Sequence, residues 1–423
     1  MARPLKGSAE VPGDKSISHR ALILAALAVG RSRIENLNPG GDIRSTIAAL
    51  RAMGARIEQG GDGAWTVDGV GVGGLLQPEA PFDLGNSGTS ARLLMGLVAS
   101  HPIRAEFRGD ASLSRRPMAR VAAPLRRIGA RIDGDYLPLA VAGLYPAIPT
   151  QYRLEIPSAQ VKSALLLAGL NTPGLTEVIE AAPTRDHLER LLRLFGAAIE
   201  ADGTRIALRG EAELRPRRLH VAGDMSAAAF LIVAALVVPG SEVRISGVGM
   251  NPTRSGLIEM LRAMGGNIAL SSEREVSGEP VADLALRHSA LTGIDVPPEI
   301  APRMIDEYPI LFIAAAFAQG PTRARGLAEL RLKESDRIAA MAAGLAAVGV
   351  KAEESADGLI VHGRGGDPLP GGATIDPALD HRVAMSFAVA GLHARHPIGI
   401  AGMGVADTSF PGFLSALGAL APS

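Results

Sequence analysis

The chain contains no cysteine, which excludes disulfides, thiolate metal ligands and a cysteine nucleophile or acid, and fits a reducing compartment. It has no net charge either: 43 basic and 43 acidic residues cancel, removing the broad attraction that a nucleic-acid or membrane-surface partner would use. Any anion site must therefore be local. The longest apolar run, 227–239, is too short to span a bilayer. The run 22–29 has the look of a signal-peptide core, but Glu10 and Asp14 lie ahead of it. No GxxxxGK[ST] loop, HExxH or other histidine cluster with ligand spacing occurs. Gly71-Val72-Gly73-Gly74 precedes Pro78 rather than a helix and reads as a turn. A soluble cytoplasmic protein with no metal and no cofactor is expected. Lysine is scarce, restricted to Lys6, Lys15, Lys162, Lys333 and Lys351, so each retained lysine is informative.

What the chain does have is length and repetition. Its 423 residues, 47% of them hydrophobic, suffice for two domains. Pro12-Gly13-Asp14-Lys15-Ser16 and the apolar stretch after it return in degenerate form as Ala222-Gly223-Asp224-Met225-Ser226 and its apolar stretch. The first copy carries Lys15, His19 and Arg20 where the second has Met225, Ala229 and Phe230. The first thus reads as equipped for chemistry and the second as structural. A finer repeat, Leu-Arg-x-x-Gly followed by a strand-like segment, with Ala346 in place of the arginine in the fifth copy and Ser415 in a weaker sixth, places Gly54, Gly129, Gly196, Gly265, Gly349 and Gly418 about seventy residues apart. Each glycine suits the left-handed position that ends an amphipathic helix.

A second, more apolar helix is expected in each unit, at 16–29, 87–99, 158–170, 226–238, 305–318 and 379–394. Helices apolar on nearly every face are interior helices. The expectation is α/β (α+β): six βαβαββ-like units, three per lobe, with buried helices at each lobe's centre. One lobe spans 14–222 and the other 223–423, with a hinge where the chain crosses near 13 and 223.

The fronts of the buried helices carry Asp, Ser or Asn, residues that cap helix N-termini. Helix N-termini attract anions, each worth about 0.3–1 kcal/mol and up to about 2 when partly buried. Six such fronts enclosing a cleft with nearby Lys, Arg and His predict a small polyanionic ligand. Ser114-Arg115-Arg116-Pro117-Met118, Thr184-Arg185-Asp186-His187 and Arg331-Leu332-Lys333-Glu334-Ser335-Asp336-Arg337 add guanidinium forks suited to carboxylate or phosphate. In the last, positions 333 and 337 share a face if the segment is helical, with Glu334 about 100 degrees away. Arg193 and Arg262 read as solvated helix faces.

Seven motifs in order now carry a resemblance over nearly the whole chain: PGDKSISHR (12–20), LGNSGTSAR (84–92), SRRPM (114–118), SAQVKSALLLAGLNTPG (158–174), MIDEYPIL (304–311), LKESDR (332–337) and LDHRVAMS (379–386). The chain resembles the 3-phosphoshikimate 1-carboxyvinyltransferases, or 5-enolpyruvylshikimate-3-phosphate synthases, the aromatic-pathway transferases inhibited by glyphosate. TRDH and MIDEYPIL look more like the bacterial subgroup associated with glyphosate tolerance. The resemblance implies a two-lobed inside-out α/β barrel that transfers the enolpyruvyl group of phosphoenolpyruvate to the 5-hydroxyl of shikimate 3-phosphate, releasing phosphate without a cofactor. It implies two small-molecule substrates, no nucleic acid, no membrane and a monomer, and it places residues 1–13 with 223–423 in the second lobe. By resemblance Lys15, Ser16, Arg20, Ser158, Ala159, Gln160, Arg185, Asp306 and Lys333 hold shikimate 3-phosphate. Lys15, Asn86, Gly88, Arg116, Gln160, Arg337, His381 and Arg382 hold phosphoenolpyruvate. Asp306 is the implied base, Glu334 the proton donor, and Lys15 assists phosphate departure.

The sequence departs from the family pattern at Ala159, where many members have Ser, at Glu329, where many have Asn, and at Thr408, where many have a Lys that touches phosphoenolpyruvate. Gly88 keeps the small residue linked with glyphosate sensitivity. The sister transferase acting on UDP-N-acetylglucosamine shares the six-unit fold, but most members use a loop cysteine, and 3% aromatics is little for a uridine site. A non-catalytic anion-binding repeat scaffold would explain the repeats, but not why Lys15, Asp306, Glu334 and Arg382 occur in only some copies.

Overall fold

A computed structural model describes residues 3–421. Contacts divide the chain into two compact units: residues 13–222 with Val276–Glu279, and the segments through Pro12, 223–275 and from 280 onward. Gly13 and the short segment 276–279 thus group with the first unit.

Five four-stranded sheets share one plan. In the first unit Val29–Glu35 pairs in parallel with Arg218–His220 and antiparallel with Trp65–Val70, which pairs antiparallel with Arg56–Gln59. The same order recurs in Phe82–Asp83, Arg104–Arg108, Leu139–Ala142 and Arg131–Asp133. It recurs again in Gln151–Leu154, Leu175–Glu180, Arg205–Arg209 and Ile199–Asp202. In the second unit Lys6–Glu10 opens one such sheet and Asp295–Val296 another. The strand just ahead of Asp14 therefore belongs to the second unit, and the strand just ahead of Asp224 to the first. The sixth unit departs from the expected plan. It has two parallel strand pairs, Leu369–Gly371 with Ala394–His396 and Thr374–Ile375 with Gly399–Ile400, and after them the helix Phe413–Leu420 in place of a closing hairpin.

The repeated glycine shows why the units look alike. Gly54, Gly129, Gly196, Gly265 and Gly349 all have φ between 80 and 106, a region costly for residues with a Cβ. Each lets the chain leave its helix so that the next two N–H groups bond back to the last turn, as Gly54 does to Arg51 O at 3.0 Å and Ala55 to Leu50 O at 3.1 Å. Gly418 lies inside the helix Phe413–Leu420 and plays no such part. Arg193 and Arg262 are exposed, and in three of the repeats the exposed arginine also makes a fixed bond. Arg262 donates to Ile268 O through Nε at 3.2 Å and Nη2 at 2.9 Å. Arg126 does the same to Ile132 O and Arg51 to Ile57 O, so in these three repeats the side chain ties the helix to the strand it precedes.

The apolar helices form the cores. All residues of Met225–Val237 are buried, and Lys15–Leu27 is buried from Ile17 onward. Asp14, Ser87, Ser158, Asp224 and Asp380 cap five of the six, each accepting a backbone N–H with its side chain. The fifth, Tyr308–Phe317, starts three residues later than expected. Pro309 occupies its first turn, and Ile305, Asp306 and Glu307 form a turn ahead of it.

Candidate functional site

In the first unit the fronts of three buried helices meet. Arg20, in the helix Lys15–Leu27, donates to Ser163 Oγ through Nη2 at 2.8 Å and to Ser16 O through Nη1 at 2.9 Å. Ser163 lies in the helix Ala159–Leu170, whose Gln160 donates to Thr89 Oγ1 at 3.0 Å, at the start of the helix Gly88–Ala99. Lys15 Nζ donates to Asp42 Oδ2 at 2.9 Å. Arg116 donates to Asn86 through both its side-chain and backbone oxygens and to Ser112 Oγ at 3.0 Å. Arg92 donates to Gly88 O at 3.1 Å. Arg185 lies in the loop before the helix His187–Phe195, close enough to oppose the charge of Arg20. Lys15, Arg20, Arg92, Arg116 and Arg185 thus gather around the helix N-termini, a setting for anions.

Burial shapes the protonation of this group. Arg20 is pulled down to about 10, first by desolvation, with Glu189 acting against that shift. His19, wholly inside, is held well below its ordinary range by burial and then by Lys15 and Arg20. Its Nδ1 lies 2.8 Å from Thr46 Oγ1, which meets Ser90 Oγ at 2.7 Å. A neutral His19 therefore serves as a packing and hydrogen-bonding group. Asp42 and Thr46 lie in no motif and emerge only from the structure, while Ser90 and Ser163 lie inside LGNSGTSAR and SAQVKSALLLAGLNTPG without having been singled out.

The second unit gathers carboxylates around arginines. Arg337, 1% exposed, donates through Nε to Asp380 Oδ2 at 2.8 Å, through Nη1 to Asp306 Oδ1 at 3.2 Å and through Nη2 to Glu334 Oε2 at 2.5 Å. Burial opposes its charge, but Asp380, Glu334 and Asp306 outweigh that cost and raise the guanidinium above its ordinary value. Arg382 donates to Asp306 O at 3.2 Å and lies 3.8 Å from Glu307. Beneath Asp306 lies a second buried guanidinium, Arg254, which donates to Ser226 Oγ at 2.7 Å and approaches Glu307 at 3.5 Å, Asp224 at 3.7 Å and Asp306 at 4.0 Å.

One sequence reading is corrected here. Arg337 opens the helix Arg337–Ala347 with Asp336 as its cap, while Lys333 and Glu334 precede it. They share no helical face with Arg337, and Glu334 reaches it by the chain folding back at the cap. The front of the degenerate second copy is also more than a helix start. Ser226 donates to Glu307 and accepts from Arg254, joining the carboxylate network.

The remaining candidates are placed as follows. Ser158 caps the helix that Ala159 opens. His381, buried, is the first residue of the helix His381–Gly391. Glu329 lies in the short helix Ala328–Leu332, and Thr408 ends the short helix Met403–Thr408. Among the described residues no cluster of metal ligands is found, and no helix is long and apolar enough to cross a membrane.

Relatives share this arrangement of folding units. The enolpyruvyl transferase NikO from Streptomyces tendae superposes with a TM-score of 0.79, covering 99% of this chain and 95% of its own at 21% identity, which shows a common fold. The fold is that of the enolpyruvyl transferases. EPSP synthase from Acinetobacter baumannii superposes with a TM-score of 0.89 at 43% identity, over 100% of this chain and 97% of its own. The 3-phosphoshikimate 1-carboxyvinyltransferase of Sphingopyxis alaskensis is 60% identical over 429 aligned positions, 99% of this chain and 96% of the relative. The sequence model of EPSP synthase (3-phosphoshikimate 1-carboxyvinyltransferase) matches residues 1–417. The chain belongs to the EPSP synthase family, transferases of the shikimate pathway that move the enolpyruvyl group of phosphoenolpyruvate to shikimate 3-phosphate and are the target of glyphosate.

Proposed function

We propose that this chain performs that transfer by dividing the work between its units. The cationic group of the first unit, with Lys15, Ser16, Arg20, Ser158, Gln160 and Arg185, holds shikimate 3-phosphate, and Lys15 with Asn86, Gly88, Arg116 and Gln160 holds phosphoenolpyruvate. From the second unit Arg337, His381 and Arg382 add contacts to phosphoenolpyruvate, and Lys333 and Asp306 to shikimate 3-phosphate. Ala159 offers a methyl in place of a hydroxyl, and its contact is weaker. The observation that carries the reading is that Asp306 and Glu334 share one buried guanidinium, Arg337. Two carboxylates so coupled divide acid and base roles, because a proton gained by one is felt by the other.

In this mechanism Asp306 takes the proton of the 5-hydroxyl as its oxygen attacks C2 of phosphoenolpyruvate. Glu334 delivers a proton to the methylene carbon, and the cationic character arising at C2 is stabilised by the adjacent carboxylates. Glu334, left as a carboxylate, then takes back a proton from the methyl group of the tetrahedral adduct as the C–O bond to phosphate breaks and the double bond re-forms. Lys15 balances the charge of the departing phosphate. The chain works as a cytoplasmic monomer on these two small molecules alone, with the segments near 13 and 223 as the hinge of its two units.

The test is release of inorganic phosphate by the purified protein given both substrates. Asp306→Asn and Glu334→Gln should each lower kcat by about 10²-fold or more. Variants within about threefold of the wild type would remove the acid–base assignment, and a wild type releasing no phosphate would remove the reading as a whole. Size-exclusion chromatography with light scattering checks the monomer.

A further inference from the structure

Behind the cationic group of the first unit lies a buried ionic cluster that no step above uses. Lys162 Nζ lies 2.9 Å from Glu180 Oε2 and 2.6 Å from Glu189 Oε1, and the three side chains are 1%, 2% and 2% exposed. They come from three successive elements: the helix Ala159–Leu170, the end of the strand Leu175–Glu180, and the helix His187–Phe195. The loop between the last two holds Thr184 and Arg185. Thr184 is held to the cluster at three points: its hydroxyl donates to Glu180, its N–H reaches Glu180 Oε2 at 3.5 Å, and its carbonyl accepts from Lys162 Nζ at 3.4 Å.

We propose that Lys162, Glu180 and Glu189 are positioning residues for shikimate 3-phosphate, fixing the backbone of Arg185 against the helix that presents Ser158, Gln160 and Ser163. The proposal rests on the assignment of Arg20 and Arg185 to that substrate. Its physical reason is repulsion. The two guanidiniums oppose each other's charge, and Arg20 is itself wholly buried. Two cations facing one phosphate need a counter-charge behind them before the substrate arrives, and they need a backbone that does not yield. Glu189 is the leading favourable charge felt by Arg20. Burial raises Glu189 above the ordinary carboxylate range and Lys162 acts against that rise, so the lysine keeps the counter-charge available.

A purely stabilising role accounts poorly for the cluster. Buried ion pairs add little net stability over apolar packing of the same volume, while removing one partner is costly. Here Lys162 and Glu180 instead secure the geometry of Thr184, the residue next to Arg185, and Glu189 holds Lys162. Lys162 belongs to the motif SAQVKSALLLAGLNTPG and Glu189 follows TRDH by two residues, so both lie beside the residues they would position.

The experiment compares binding of shikimate 3-phosphate by calorimetry, without phosphoenolpyruvate, and steady-state kinetics for both substrates. The variants are Glu180→Gln, Lys162→Met and Lys162→Arg. Glu180→Gln keeps the volume but weakens the hold on Thr184, and should raise both Kd and KM for shikimate 3-phosphate about tenfold, with KM for phosphoenolpyruvate and kcat within about threefold. Lys162→Arg keeps the charge and should recover most of what Lys162→Met loses. If Lys162→Met does not fold, Glu180→Gln decides alone. Folded variants that bind shikimate 3-phosphate within about twofold of wild type, or that weaken both substrates equally, overturn the positioning role. A wild type that fails to bind shikimate 3-phosphate would overturn the site assignment and this proposal with it.

Discussion

Asp380 joins two functions in one carboxylate, and two substitutions separate them. Its Oδ1 accepts from Arg382 N at 2.9 Å and so caps the helix His381–Gly391. Its Oδ2 accepts from Arg337 Nε at 2.8 Å and from Ser335 Oγ at 3.1 Å. Asp380→Asn keeps an oxygen for the cap and removes the charged acceptor facing Arg337. Loss of one charge-assisted hydrogen bond costs about 1.5–3 kcal/mol. The lower part of that range applies, because Glu334 and Asp306 still face the guanidinium. Asp380→Ala loses the same bond and the cap as well, worth about 1 kcal/mol more. The expected losses are therefore about 2 kcal/mol for Asn and about 3 kcal/mol for Ala, read from urea midpoints at constant m.

Activity should follow the ion pair and not the cap. With Asp380 neutral, Arg337 turns toward Glu334 and Asp306, and kcat/KM for phosphoenolpyruvate should fall about tenfold or more in both variants. An Asn variant as stable and active as wild type would show that Asp380 is no counter-ion for Arg337. Equal losses for Asn and Ala would remove the cap from the account.

At Gly88 an added Cβ would lie 2.8 Å from Arg92 Nη1 and 3.2 Å from Arg116 Nη1, both ends of flexible side chains, so Gly88→Ala should fold. The methyl crowds the longer glyphosate more than phosphoenolpyruvate, and the inhibition constant should rise about tenfold while KM for phosphoenolpyruvate rises less than about threefold; equal weakening refutes this. His101 is held below its ordinary value by burial, and its two contacts, Nδ1 to Leu97 O at 2.8 Å and Nε2 to Gly73 N at 3.3 Å, require a neutral ring. Because its folded pKa is the lower one, the unfolded chain binds the extra proton first as pH falls below about 6.5. Stability should thus rise with pH through that window and level off above it, and His101→Gln should flatten the curve in thermal melts at pH 5.5–7.5. Arg254→Met strands the buried carboxylate of Glu307 and should cost about 3–5 kcal/mol. Adding Glu307→Gln should recover part of that loss, and strict additivity of the two substitutions in urea unfolding would count against their coupling.

The repeat was legible because a left-handed residue at a helix end admits little but glycine, so Gly54 through Gly349 mark five helix ends without reference to anything distant. The duplicated front pointed to crossings near 13 and 223, but not to the partner of the strand ahead of each. Lys6–Glu10 and Arg218–His220 both precede a Gly-Asp helix start, and the alternation of a short strand does not name its partner. The start of Tyr308–Phe317 was readable, since Pro309 belongs in a first helical turn. Taking 305 as the first residue put Asp306 on a helix it only precedes. Asp336 was likewise an available cap, and weighing it would have kept Lys333 off the helical face it was given with Arg337.

For the site, residue type was legible and partnership was not. Arg262, Arg254 and Arg337 carry the same chemistry in the sequence. One ties a helix to a strand carbonyl, one lies buried among Asp224, Glu307 and Ser226, and one holds Asp306, Glu334 and Asp380. Burial and carboxylates many positions away separate them, and local spacing encodes neither. The duplicated helix front shows how such divergence is built. Both copies keep the capping aspartate, because the helix needs it. The first adds Lys15 and Arg20 and gathers cations, while the second replaces them with Met225 and Phe230 and turns Ser226 toward Glu307 and Arg254. Without those cations the second front braces carboxylates, so one repeated layout gathers cations in one unit and carboxylates in the other.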